Sequence, residues 1–146
     1  IRKYFKVDCH LHCGNCPILF WDSAVPTHLF RIAQEAINNA IRHGKAHRVG
    51  IHLRALSDRV VLSVRDDGIG MPDPPLHAQG LGLRIMHYRA GVIGGNLSIQ
   101  KETKGGTTVT CTVQRPQTSS SISNLPHHEK RKKSTRLKKR KASSNR

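Results

Sequence analysis

Aromatic side chains are scarce in this sequence: three Phe, two Tyr and one Trp among 146 residues. So few rings exclude a base-stacking platform for single-stranded nucleic acid on the body of the chain. Acids are scarce too, nine against 25 Lys and Arg, for a formal net charge of +16. The excess sits at one end. From Arg115 onward eleven Lys/Arg meet one acid, so this stretch carries +10 of the +16. It holds almost no apolar residues to offset its ordering entropy, which predicts a disordered basic tail, 115–146, following a folded body, 1–114. Such a tail can contact anionic surfaces, and no specific nucleic-acid partner is expected. The alternative, a nucleic-acid-binding protein working through the tail, would show steep salt dependence.

No apolar run approaches the ~18 residues of a membrane helix, and no signal-peptide pattern opens the chain. A cytoplasmic location is expected, compatible with tethering of a longer protein. The first residue is Ile, as in a fragment or processed product. Four cysteines without a leader imply a reducing compartment. Three of them fall in "CHLHCGNC", where zinc on Cys9, Cys13, Cys16 and a histidine competes with plain half-buried thiols. Strand alternation puts Cys9 on the opposite face from His10 and His12, and no second paired C-x-x-C is present, so thiols are the expectation.

What is present is periodic. "YFKVDCHLHC", Tyr4 to Cys13, alternates, with Phe5, Val7, Cys9 and Leu11 on one face of a predicted strand. "VPTHLFRIAQEAINNAIRHG" has helical period, with Leu29, Ile32, Ala33, Ala36, Ile37, Ala40 and Ile41 in one stripe. Pro26 suits its first turn and Gly44 its C-terminal cap. "RVGIHLRAL" and "RVVLSVRDD" read as a hairpin around "SDR". "GIGMPDPPLHAQG" reads as a loop, because its prolines and glycines break regular structure. "LGLRIMHYRAGVIGG" is helical, and "NLSIQKE" and "TTVTCTV" are two final strands. The expected fold is an α/β two-layer sandwich, its mixed, mostly antiparallel sheet covered on one face by helices.

Four places carry chemistry. Glu35 and Asn39, four apart, sit one above the other on the flank of the helical stripe. Their oxygens suit a hard cation such as Mg2+ beside phosphate oxygens, and Glu35 can polarise a nucleophile. Asp66 closes a strand, with Gly68 and Gly70 behind it, where a carboxylate could accept from the N6 amine of adenine and repel guanine. Gly80 and Gly82 enter a helix, whose N-terminal amides suit a polyphosphate. In "KGGTTVT", Thr107 or Thr108 could reach the base. Singly, each is matched by a bland alternative: a solvated helix edge, a polar turn, an ordinary helix start, a hairpin turn.

In order along the chain, the four resemble the GHKL ATPase superfamily, and within it the catalytic ATP-binding domain of sensor histidine kinases. "RIAQEAINNAIRHG" is similar to that family's N box, "DDGIG" to its first glycine box and "GLGLRIM" to its second. "LGLRIMHYRAGVIGG" resembles the subclass paired with LuxR/NarL-type response regulators. The resemblance covers about Val25 to Val113. It implies ATP and Mg2+ as cofactors, with Asn39 on the metal and Glu35 as the acid that helps activate the attacking group. It implies Asn38, Arg42 and His43 along the phosphates, and Asp66 on adenine N6. Gly68 and Gly70 would admit the base, Gly80, Leu81, Gly82 and Leu83 would bracket the phosphates, and Thr107 would help hold the adenine. Met71 to Gln79 would be a lid. The implied partners are a response-regulator receiver domain and a dimerising phosphoacceptor hairpin, of which the sequence shows no trace. His128-Glu129 lies in the basic tail and is not read as the acceptor. A stand-alone GHKL protein, such as an anti-sigma-type serine kinase, is the second reading.

Overall fold

The computed structural model describes residues 7–14, 18–71 and 80–116. Along the chain come β1 (Asp8–Cys13), α1 (Ala24–Arg42), β2 (Arg48–Ala55), β3 (Arg59–Asp66), α2 (Leu81–Val92), β4 (Gly95–Lys101) and β5 (Thr107–Gln114). They build one five-stranded sheet in the order β1-β2-β3-β5-β4. β1 runs parallel to β2, which requires the α1 crossover between them, and the other three pairings are antiparallel. This is the mixed sheet expected from the sequence, with both helices on one side.

The core follows the two periods. α1 contributes Val25, Leu29, Ile32, Ala36 and Ala40, all buried, while Ala33, Ile37 and Ile41 flank them, partly buried. Alternate residues of the strands meet that stripe: Val60, Leu62 and Val64 from β3, and Val109, Cys111 and Val113 from β5. α2 closes the layer with Met86 and Ala90. Ile32 and Met86 are fully buried, and each such side chain contributes about 1.5–3 kcal/mol. The inward row of β3 ends on Asp66, the buried polar side chain of the described core.

Three expectations are corrected. Leu11 is paired with Ile51 in register yet is 67% exposed, because the edge strand outruns the helical layer. Strand alternation assigns a face but not a cover for it. Gly44 does not supply the left-handed cap of α1; the positive φ falls on Lys45, at 51°. Gly44 instead lies tightly against Ala40, whose carbonyl a Cβ at position 44 would meet at 2.7 Å. Cys13 is disulfide-bonded, so it is not the expected thiol. Cys9 and Cys111 are free. Burial pushes the Cys111 thiol up to about 11 and raises Cys9 as well. Among the described residues no group of three His, Cys, Asp or Glu is placed to hold a metal, and no helix is long and apolar enough to cross a membrane. Tyr4 to Lys6, Cys16, most of the predicted lid (72–79) and the tail from residue 117, with His128, lie outside the described residues.

Candidate nucleotide site

The site is built where the end of α1, the end of β3, the start of α2 and the β4–β5 turn converge. Helical spacing puts Glu35, Asn39 and Arg42 on one side of α1. Glu35 and Asn39 are half-buried there, and Arg42, His43 and Asn38 are exposed. Facing them is the first turn of α2. A Cβ on Gly82 would collide with Glu35 Oε1 and would stand 3.5 Å from Asn39 Nδ2. The two motifs, more than forty residues apart in sequence, therefore meet at Gly82. The nearest neighbours of a Cβ on Gly82 belong to Glu35 and Asn39.

α2 begins at Gly80, which no side chain caps, and its first turn holds no acid. Its N-terminal amides carry the positive end of the helix dipole, and among the described residues the Glu35 carboxylate of α1 is the anion that approaches them. The Gly80 φ of −51° suits any residue, and among the described residues a Cβ there would meet nothing within 4 Å. Leu81 is 72% exposed, whereas Leu83 packs on the core.

Asp66 anchors the other half. Its Oδ1 accepts from Gly68 N–H at 2.8 Å. Burial raises its pKa, the Gly68 and Thr107 amides oppose that, and the neighbouring Asp67 charge adds to it. Asp67 behaves in the opposite way. Burial raises its pKa, but amide bonds from Arg48 and His47 and the Arg48 guanidinium outweigh this and hold it low. Asp67 Oδ1 takes both amides at 2.8 Å, so it ties the end of β3 to the start of β2. Of the paired acids in "DDG", one is structural and one faces the cleft.

The backbone around Asp66 is close-packed. A Cβ on Gly68 would strike the Gly44 carbonyl, and one on Gly106 would strike the Asp66 carbonyl. Ile69 N–H also donates to Gly44 O at 2.9 Å. Gly44 in turn donates to Asn39 O at 3.0 Å, so a continuous set of contacts runs from Asn39 through Gly44 and Gly68 to Asp66. Gly70, at φ +76°, lies under the stem of Lys101. Thr107 and Thr108 divide: the Thr107 amide helps hold down the Asp66 pKa, while the Thr108 hydroxyl donates to Glu102 at 2.6 Å. Gly106 and Lys101 were not singled out from the sequence, and Gly44 was read there only as a helix cap. "KGG" carried a signal for Gly106; nothing local pointed to Lys101 or to the packing role of Gly44. A separate depression lined by His52, Arg54, Val61 and Ser63 is on the sheet face away from the helices and touches none of these groups.

Known proteins match this chain in sequence and in fold. The family model for histidine kinase-, DNA gyrase B- and HSP90-like ATPases matches residues 24–117, well over half of the chain. The chain is 34% identical over 104 residues to the nitrate/nitrite sensor protein NarQ of Escherichia coli, covering 70% of this chain and 18% of NarQ. It is 41% identical over 71 residues to the signal transduction histidine-protein kinase/phosphatase UhpB of Salmonella typhimurium, covering 49% of this chain and 14% of UhpB. The chain thus spans less than a fifth of the length of either relative. Its fold superposes on the ATP binding domain of PrrB from Mycobacterium tuberculosis with a TM-score of 0.64 at 26% identity, over 79% of this chain and 85% of that one. With its sheet, its helices and its glycine-lined cleft in the same order as its motifs, the chain belongs to the histidine kinase-, DNA gyrase B- and HSP90-like ATPase family.

Proposed function

We propose that this chain is the catalytic domain of a two-component sensor histidine kinase and binds Mg-ATP between α1 and α2. On this reading it presents the γ-phosphoryl group to a histidine on a dimerising helical hairpin contributed by another segment, with a response-regulator receiver domain as the onward acceptor. The observation that carries the reading is the approach of Gly82 to both Glu35 and Asn39. It puts a carboxylate and a side-chain amide beside a helix N-terminus, which is where a metal-chelated polyphosphate is best stabilised.

Each group then has a task that its surroundings support. Asp66, held by the Gly68 amide, offers an acceptor to an exocyclic amine. Gly68 and Gly70 leave the base room. The amides at Gly80, Leu81 and Gly82 would face the phosphates, with Arg42, His43 and Asn38 at the exposed rim, while Leu83, whose own amide donates to Gly80 O at 3.0 Å, would close the turn behind them. The Asn39 amide oxygen fits Mg2+, a hard cation that takes few protein ligands; when bound, the ion would neutralise charge on the phosphates. Glu35 lies beside Asn39 and is placed to polarise the incoming nucleophile. Such catalysis is mostly positioning and charge stabilisation, so a nucleotide domain without its acceptor segment is expected to bind ATP and not to phosphorylate itself.

Calorimetry of Mg-ATP against the full chain and against Asn39→Ala and Asp66→Ala tests the assignment. Both variants should remain folded and bind far more weakly. Unchanged affinity in both would reject the site.

A further inference from the structure

The β4–β5 turn, residues 102–106, is held shut at its first residue. Glu102 N–H donates to Gly106 O at 3.0 Å, and Gly105 N–H donates to Glu102 O at 3.1 Å. The Glu102 carboxylate adds a side-chain clamp. One oxygen accepts from Thr108 Oγ1 at 2.6 Å, and the other lies 3.5 Å from an Arg65 guanidinium nitrogen. Arg65 and Thr108 are register partners on β3 and β5, and their side chains lie on the sheet face away from the helices. A hydrogen bond this short to an ionised carboxylate is among the stronger kinds.

The other side of the same turn walls the Asp66 cleft. Gly106, at φ +95°, lies directly on the Asp66 carbonyl, and a Cβ on Gly105 would stand 3.2 Å from Gly68 O. A carboxylate distinguishes an amine from a carbonyl oxygen only while its acceptor lone pair is aimed. The Gly68 amide supplies that aim by donating to Asp66 Oδ1 at 2.8 Å, and the turn packs on the carbonyls of these same two residues.

We propose that Glu102 is a positioning residue for adenine recognition: by clamping Thr108 and Arg65 on the open face it fixes the 102–106 turn, and through it the Asp66–Gly68 backbone on which the turn packs and whose Gly68 amide orients the Asp66 carboxylate. The discrimination of adenine from guanine then depends on a side chain that never touches the base. This rests on the nucleotide reading above and goes beyond it by assigning selectivity to the far side of the sheet.

The test measures the affinity of ATP, ADP and GTP for the full chain, wild type against Glu102→Ala, Glu102→Gln and Thr108→Val, with melting temperature recorded for each. Glu102→Ala should weaken ATP and ADP alike by on the order of five- to tenfold, the worth of one hydrogen bond, while GTP changes little, so the ATP:GTP ratio narrows. Thr108→Val should do the same to a smaller degree. Glu102→Gln keeps an acceptor for Thr108 and should recover most of the ratio. A Glu102→Ala protein with the wild-type ratio, or with equal losses for ATP and GTP, overturns the proposal and leaves Glu102 a mere staple of the hairpin. If Glu102→Ala fails to fold, Thr108→Val decides: an unchanged ratio there overturns it equally. A wild-type chain that binds no adenine nucleotide overturns the nucleotide reading itself, and this proposal with it.

Discussion

Glu35 Oε1 occupies the space that a side chain on Gly82 would need. α1 and α2 are thereby locked face to face at the point where the carboxylate of one meets the N-terminus of the other. Because the obstructing atom is the tip of a flexible side chain, a methyl group at position 82 can be accommodated by moving Glu35.

Gly82→Ala should therefore leave the fold intact, with a melting temperature at or slightly above wild type, since Ala is the better helix former by up to about 1 kcal/mol. Its cost should appear in Mg-ATP affinity, because Glu35 is displaced. Gly68→Ala makes the contrast. There the obstruction is the Gly44 carbonyl, which cannot swing away, and overpacking of this kind costs about 1–3 kcal/mol. Chemical denaturation of the pair should separate them; equal stabilities would refute the contact.

Asn39→Ala removes only the side chain. The Asn39 carbonyl still accepts from His43 and Gly44, so the end of α1 should persist. Titrations with and without Mg2+ should show wild-type ATP affinity falling on metal removal and the variant nearly indifferent to it. A variant with full metal dependence would move the metal ligand elsewhere.

Asp66 has its pKa raised from an ordinary 3.8, chiefly by burial. The folded state therefore holds its proton more tightly than the unfolded state. The stability this group adds is full below pH 3.8 and is lost as pH rises through the folded value. At neutral pH the ionised carboxylate is a burden, and Asp66→Asn should raise the melting temperature while weakening ATP by about 1–3 kcal/mol. Paired thermal melts and calorimetry at pH 7 read both effects, and a destabilised Asp66→Asn would contradict the sign.

Asp67 next to it carries the opposite sign. Its pKa lies below 3.8, held down against burial by the amides and guanidinium of the α1–β2 junction. Its contribution is present above pH 3.8 and disappears as pH falls through the depressed value. The side chain is about one-third exposed, so screening keeps the effect of Asp67→Asn small, below about 1 kcal/mol of lost stability at pH 7. ATP affinity should be nearly unchanged, and a large loss would place Asp67 in the pocket.

The stripe on α1 was legible from spacing: Leu29, Ile32, Ala36 and Ala40 recur every three or four residues and all are buried. Alternation in "RVVLSVRD" likewise marks Val60, Leu62 and Val64, and it carries Asp66 inward with them. The same rule failed at Leu11, which stays 67% exposed on the face that alternation assigns. The work of Gly106 and Gly44 was not legible either, because it lies in contacts with carbonyls from distant parts of the chain.

Local order in this protein was written in the residues themselves, because the 3.6- and 2-residue repeats come from backbone geometry and need no partner to be recognised. So was the sequence of acid, amide and glycine signals. What tertiary structure alone decided is the strand order β1-β2-β3-β5-β4 and the meeting of Gly82 with Glu35 and of Gly106 with Asp66. Those approaches depend on how a whole sheet and two helices pack at once, and no local window of sequence contains that information.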